Sequence, residues 1–81
     1  MGIRVLFFAT LADVAGVHEI TLESAGLSDV NSVFLRSTRD FPALQAHRDS
    51  ILFAVNSEFA RSDTPVHDGD EVALFPPVSG G

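Results

Sequence analysis

The sequence predicts a two-layer α+β roll, in which a mixed sheet of four to five strands carries one main helix on one face. Three observations predict it. Runs dense in β-branched and aromatic residues recur at 3–10 (IRVLFFAT), 51–55 (ILFAV) and 70–75 (DEVALF). A single stretch after Ser28 carries apolar residues at helical spacing. The hydrophobic fraction of 46%, with seven phenylalanines, demands a packed core.

The first strand is expected over 3–10, with Ile3, Val5, Phe7 and Ala9 on one face and Arg4, Leu6, Phe8 and Thr10 on the other. Both faces are largely apolar, which suits a central strand or one with an outer partner. Residues 11–15 form one helical turn that Gly16 stops. Residues 17–23 alternate Val17, Glu19, Thr21 and Glu23 against His18, Ile20 and Leu22, a half-exposed strand returning beside the first. Ser28 is read as the N-cap of the main helix, with Asp29 in its first turn. Val30, Val33, Phe34 and Phe41 share one stripe of that helix; Leu35 falls off it and Ser37 falls within it. Pro42 ends the helix. Residues 43–50 read as a loop with a turn of helix. After the strand at 51–55, Asn56-Ser57-Glu58 is a tight turn into a short strand near Phe59 and Ala60. Residues 63–69 connect, with Pro65 and Asp68-Gly69 as turn signals. In the last strand Val72 and Leu74 oppose Glu71, Ala73 and Phe75.

This order is that of a β-grasp roll, with the first and last long strands side by side at the sheet centre. One helix cannot cover both faces of such a sheet. Phe7, Phe34 and Phe53 are assigned to the core. The outer face, carrying Leu6, Phe8 and Phe75, is left for solvent or a partner. For Phe8 and Phe75 a partner interface stands at least level with core packing. The folded domain is placed at 1–76 and a flexible tail at 77–81.

Composition excludes several functions. The net charge is −6, with five arginines and no lysine, so no basic stripe is available for nucleic acid or an anionic membrane. An acidic domain suits a basic protein surface. No segment has the length of a membrane span or the pattern of a secretory signal, and cytoplasm is the simplest compartment. With no cysteine, no side chain offers a thiol nucleophile or a redox switch. His67, Asp68, Asp70 and Glu71 cluster but lack the further ligands of a calcium loop, and the three histidines lack zinc spacing, so no metal is expected. His18 and Glu19 face opposite ways on a strand and form no dyad.

The chain ends in Phe75-Pro76-Pro77-Val78-Ser79-Gly80-Gly81. Gly-Gly alone reads as a frayed terminus. Taken with Asp68-Gly69-Asp70-Glu71-Val72-Ala73 before it, this ending resembles the small, sulfur-carrying subunit of molybdopterin synthase, within the ubiquitin-like β-grasp and ThiS superfamily. Ile3-Arg4-Val5-Leu6-Phe7-Phe8-Ala9 is similar to that family's first strand, and Phe53-Ala54-Val55-Asn56 with Glu58 to its third strand and turn. The helix and the segment at 42–50 carry no such signal.

The resemblance implies a specific chemistry. An E1-like enzyme adenylates the Gly81 carboxylate with ATP, and a persulfide converts it to a thiocarboxylate. The tail then enters the large catalytic subunit and donates sulfur to cyclic pyranopterin monophosphate in molybdenum cofactor biosynthesis. The chain would bind no cofactor and have no activity alone, and the complex would be a heterotetramer. Gly81 and Gly80 are the implied reacting residues, since backbone without Cβ passes narrow channels. Phe8, Phe75, Pro76, Pro77, Val78 and Ser79 are the implied partner contacts, the prolines stiffening the exit. Five residues from Pro77 extend roughly 17 Å. Alternatives are a sulfur carrier for thiamine or cysteine, a ubiquitin-like protein modifier, or a binding module with an inert tail. Phe-Pro-Pro-Val favours the molybdopterin route over the thiamine carrier.

Overall fold

A computed structural model describes residues 2–77, so the expectations for Val78, Ser79, Gly80 and Gly81 lie outside the described residues. Five strands form one mixed sheet in the order β2-β1-β5-β3-β4. They are β1 (Gly2–Phe7), β2 (Glu19–Glu23), β3 (Leu52–Val55), β4 (Glu58–Ala60) and β5 (Glu71–Phe75). β1 and β5 run parallel at the centre, pairing Val5 with Val72 and Phe7 with Leu74. β2 and β3 flank them antiparallel. The predicted β-grasp roll, with its first and last strands adjacent, is the observed architecture.

The helical layer is fuller than one helix. It contains α1 (Thr10–Ala15), α2 (Val30–Asp40) and a 3-10 helix over Pro42–Ser50. The last extends the single helical turn expected within a loop there to nine residues. Its composition is polar, but Leu44 is fully buried and anchors it to the core. The helix start also differs, because Asp29 rather than Ser28 is the N-cap of α2. The Asp29 carboxylate accepts from the Ser32 N–H at 2.8 Å, while Ser32 Oγ accepts from the Asp29 N–H at 3.1 Å, a reciprocal capping box.

Ile3, Val5, Phe7, Val72 and Leu74 face Val30, Val33 and Phe34 across the core, and all are essentially inaccessible. Phe7 meets Phe41 edge-on at 5.8 Å, and Phe34 meets the half-buried Phe53 at 6.0 Å. Ser37, the polar residue in the apolar stripe, is fully buried and donates to the Val33 carbonyl at 2.9 Å. Its hydroxyl is thereby satisfied inside its own helix.

β1 is shorter than expected. It stops at Phe7, and Ala9 is exposed rather than on the core face. Ala9 has φ 52° and ψ −128°, and the Leu11 N–H donates to the Phe8 carbonyl at 3.0 Å. This is a type II′ turn with alanine at the position that suits glycine. The chain therefore swings from β1 directly into α1, which Gly16 closes in the left-handed conformation. β2 likewise begins at Glu19, leaving Val17 exposed. Between β3 and β4 only Asn56 and Ser57 intervene, both at positive φ (51° and 73°), as a type I′ hairpin requires.

Asn56 ties this hairpin to β5. Its Oδ1 accepts from the Glu71 N–H at 3.0 Å, and its Nδ2 donates to Asp70 Oδ1 at 3.0 Å. Asp70 Oδ2 also accepts from the His67 N–H at 2.8 Å. The Asn56 and His67 hydrogen bonds hold the Asp70 carboxyl below its ordinary value of 3.8.

Asp70 therefore adds stability that is fully present above pH 3.8 and lost as pH falls through the lower folded-state value. Asp70→Asn is expected to cost on the order of 1 kcal/mol at pH 7, with the penalty constant down to about pH 4 and shrinking only below pH 3.8 in denaturant titrations. Ser57→Gly and Ala9→Gly relieve left-handed strain and are each expected to raise stability by roughly 0.5–1 kcal/mol, read as a higher melting temperature.

Candidate functional site

The sheet register decides what the outer face carries. Leu6 pairs with Ala73, Ala73 with Ala54, and Ala54 with Phe59, so all four lie in one row away from the helices. The next row brings Leu52 opposite Phe75. Phe8, just beyond β1, continues the ladder by donating its N–H to the Leu74 carbonyl at 3.1 Å. Its ring stacks on Phe75 at 4.6 Å with planes 10° apart. The two aromatics proposed as partner contacts are thus brought face to face on the open side of the sheet.

Phe8 is 40% exposed and Phe75 is half-buried against it. Pro76 and Pro77 continue directly from β5, and with Phe8, Ala9, Leu52 and Phe59 they bound an almost wholly apolar groove of ≈ 340 Å³. A second groove of ≈ 240 Å³ lies over Leu6, Ala54, Ala73 and Phe75. Of the predicted contacts, Phe8, Phe75, Pro76 and Pro77 form one surface.

Two residues of this surface were not legible as site residues. Phe59 is 84% exposed and Leu52 is 38% exposed. A three-residue turn at Asn56-Ser57-Glu58 leaves the face of Phe59 undetermined. The observed two-residue turn sets Val55 opposite Glu58 and Phe59 opposite Ala54, which fixes Phe59 outward. The run 51–55 has no apolar–polar alternation to separate its faces; Ile51 is buried and Leu52 points to the outer face.

Charge borders the apolar surface at the other end of the central strands. Arg4 reaches Glu19 through Nε at 3.1 Å and Nη2 at 3.3 Å, and Glu71 through Nη1 at 3.2 Å. The hydrogen bond to Glu19, then the charges of Glu19 and Glu71, raise the Arg4 pKa above its ordinary value. The clustered acids near the last turn are directed to separate partners. Asp68 accepts from Ser24 Oγ at 2.8 Å, Asp70 holds Asn56, and Glu71 holds Arg4. Among the described residues there is no group of three or more histidines and acids that could hold a metal ion. No described helix is long and apolar enough to cross a membrane.

What this arrangement can do is dock. The apolar surface carries no ionisable side chain at its centre, and the strand that leads to the terminus leaves from its edge.

Known proteins similar to this chain cover nearly its full extent. The molybdopterin synthase sulfur carrier subunit of Chlamydomonas reinhardtii is 39% identical over 83 residues, covering 100% of both chains. That of Escherichia coli (strain K12) is 38% identical, covering 98% of this chain and 99% of its own. Among solved structures, SAMP1 from Haloferax volcanii superposes with a TM-score of 0.86 at 33% identity over 100% of both chains. With the ubiquitin-like β-grasp fold in common and residues 5–81 matching throughout, the chain belongs to the ThiS family.

Proposed function

We propose that this chain is the sulfur carrier subunit of a molybdopterin synthase, acting through the carboxylate of Gly81. The observation that carries this reading is the ending of β5 at the edge of an exposed apolar surface. Phe75 stacks on Phe8 and runs straight into Pro76 and Pro77. A large subunit that covers this surface receives the tail at the same place. Near-full-length identity to two proteins named as such carriers supports the same conclusion.

The chemistry follows from a carboxylate flanked by glycine. A Gly81 oxygen attacks the α-phosphorus of ATP, expels pyrophosphate and gives an acyl adenylate. A persulfide sulfur displaces AMP, and attack by a second thiol releases that donor as a disulfide, leaving a thiocarboxylate. The large subunit then presents this sulfur to cyclic pyranopterin monophosphate. Addition of the persulfide to a face of the acyl carbonyl, with AMP then expelled from the tetrahedral intermediate, needs open space around that carbon, which side chains at 80 and 81 would narrow. The catalytic groups belong to the partners, and this chain supplies the tail at 77–81 on a folded domain at 1–76.

A second reading has one observation in its favour, the close superposition on SAMP1, a small archaeal modifier protein. Both use an activated Gly81 and differ in the acceptor, a pterin in one and an amine of a target protein in the other.

Charging is directly measurable, because a chain without cysteine offers a thiol-alkylating reagent no side-chain target. After incubation with ATP, an E1-like activating enzyme and a persulfide donor, one alkyl group is expected at Gly81 by fragmentation mass spectrometry. An unlabelled chain, under conditions that charge the Escherichia coli carrier, contradicts the proposal. Deleting Gly81 is expected to retain docking on the large subunit and abolish sulfur transfer. Phe75→Asp is expected to keep the fold by circular dichroism and weaken docking by at least ~100-fold in calorimetry, since it buries an unpaired charge at an interface centre.

A further inference from the structure

A further concavity adjoins the apolar surface. It is a cleft of ≈ 460 Å³ between the start of α2, the end of the 3-10 helix and the β3–β4 pair. Phe34, Ile51 and Phe53 form its apolar floor, and Asn31, Arg48 and Arg61 are among its polar lining. Leu52 and Phe59 line this cleft and also the outer-face groove, so the two are continuous across β3 and β4.

Arg48 is the unusual member. Its Nη2 donates to Asn31 Oδ1 at 3.1 Å, and its guanidinium lies 6.0 Å from the centroid of the Phe34 ring. Both partners are neutral. The ion pairs among the described residues join Arg4, Arg61 and His67 to acids; Arg36, Arg39 and Arg48 have none, and of these three Arg48 alone lines the cleft. Asp49 lines the same cleft without forming an ion pair with either arginine, and Arg61 approaches Asp63 only at 4.0 Å. In a chain with 11 acids and five arginines, a guanidinium oriented by neutral groups is a cation held ready for an outside anion.

We infer that this cleft receives an acidic segment, carrying an apolar side chain beside its carboxylate, from the same partner that covers the outer face. The apolar side chain fills the floor over Phe34 and Phe53, and the carboxylate meets Arg48, with Arg61 at the rim. Continuity through Leu52 and Phe59 lets one partner occupy both surfaces, and the inference rests on the docking proposed for that face. The cleft then supplies orientation. An acidic domain is drawn to a basic surface in many orientations, and one basic cleft with its own acidic counterpart selects among them.

The test measures affinity for the cognate large synthase subunit, at low and high salt, for the full chain and four variants. Arg48→Glu and Arg61→Glu are expected to weaken binding by roughly 10-fold or more, Arg48 the more strongly. Arg39→Glu makes the same change in net charge in the last turn of α2, outside the cleft, and is expected to stay within about twofold. Equal losses for Arg39→Glu and Arg48→Glu overturn the inference, because net charge then explains both. Unchanged affinity in both cleft variants, with docking lost in Phe75→Asp, overturns it while leaving the outer-face docking intact. A loss at Arg48 with none at Phe75 also overturns it, together with the outer-face docking, because the cleft then binds alone. If Arg48→Glu lowers the melting temperature, the exposed Arg61→Glu decides. Shifts of the Asn31 and Arg48 amide signals on adding AMP, absent on adding the large subunit, overturn the inference in favour of a nucleotide.

Discussion

The parallel pairing of β1 with β5 is the constraint on which the remainder depends. It places the first and last strands of the chain at the centre of the sheet, where each is flanked on both sides. Parallel neighbours must be joined by a long crossover, and everything between β1 and β5 is that crossover. Because the pairing sets Leu6 beside Ala73 and Phe7 beside Leu74, the residues that follow come together as well. Phe8 and Phe75 are distant in sequence, yet stack because their strands end side by side. The same register that buries Val5 and Val72 thus builds the exposed aromatic pair on the opposite face.

Periodicity carried much of this. The strong runs around Val5, Ala54 and Leu74, the helical stripe of Val30, Val33 and Phe34, and the order of elements were enough to specify the roll and its open face. The stacking residues Phe8 and Phe75 followed from having one helix too few to cover two faces. The rest depended on features that a pattern does not encode. Leu44 is the one large apolar side chain in a mostly polar stretch, and only tertiary burial reveals that it anchors a 3-10 helix. Ala9 has no glycine signature, although it occupies a position where glycine would be easier. A difference of one residue in turn length changes the face of Phe59, and Asn-Ser is a weaker turn signal than Asn-Gly. Ser32, rather than a glutamate or glutamine, closes the capping box, which hid Asp29 as the cap.

The surface that results separates two tasks. Central apolar residues supply area, and charged residues are kept to the margins, at Arg4 on one side and Arg48 on the other. No described side chain is placed as a nucleophile or general base in the aromatic groove.

The location of β5 also has a mechanical meaning. The strand that leads to the terminus is held by β1 on one side and β3 on the other, and Asn56 fastens its beginning through Glu71 and Asp70. A pull on the tail acts along the strand, roughly across the hydrogen bonds to both neighbours. Those bonds are loaded together in shear instead of being opened one at a time like a zipper. Were the same segment an edge strand, it would be held by one ladder and could peel. Under the function proposed above, in which successive partners take hold of the tail, this domain would bear repeated tugs without unravelling.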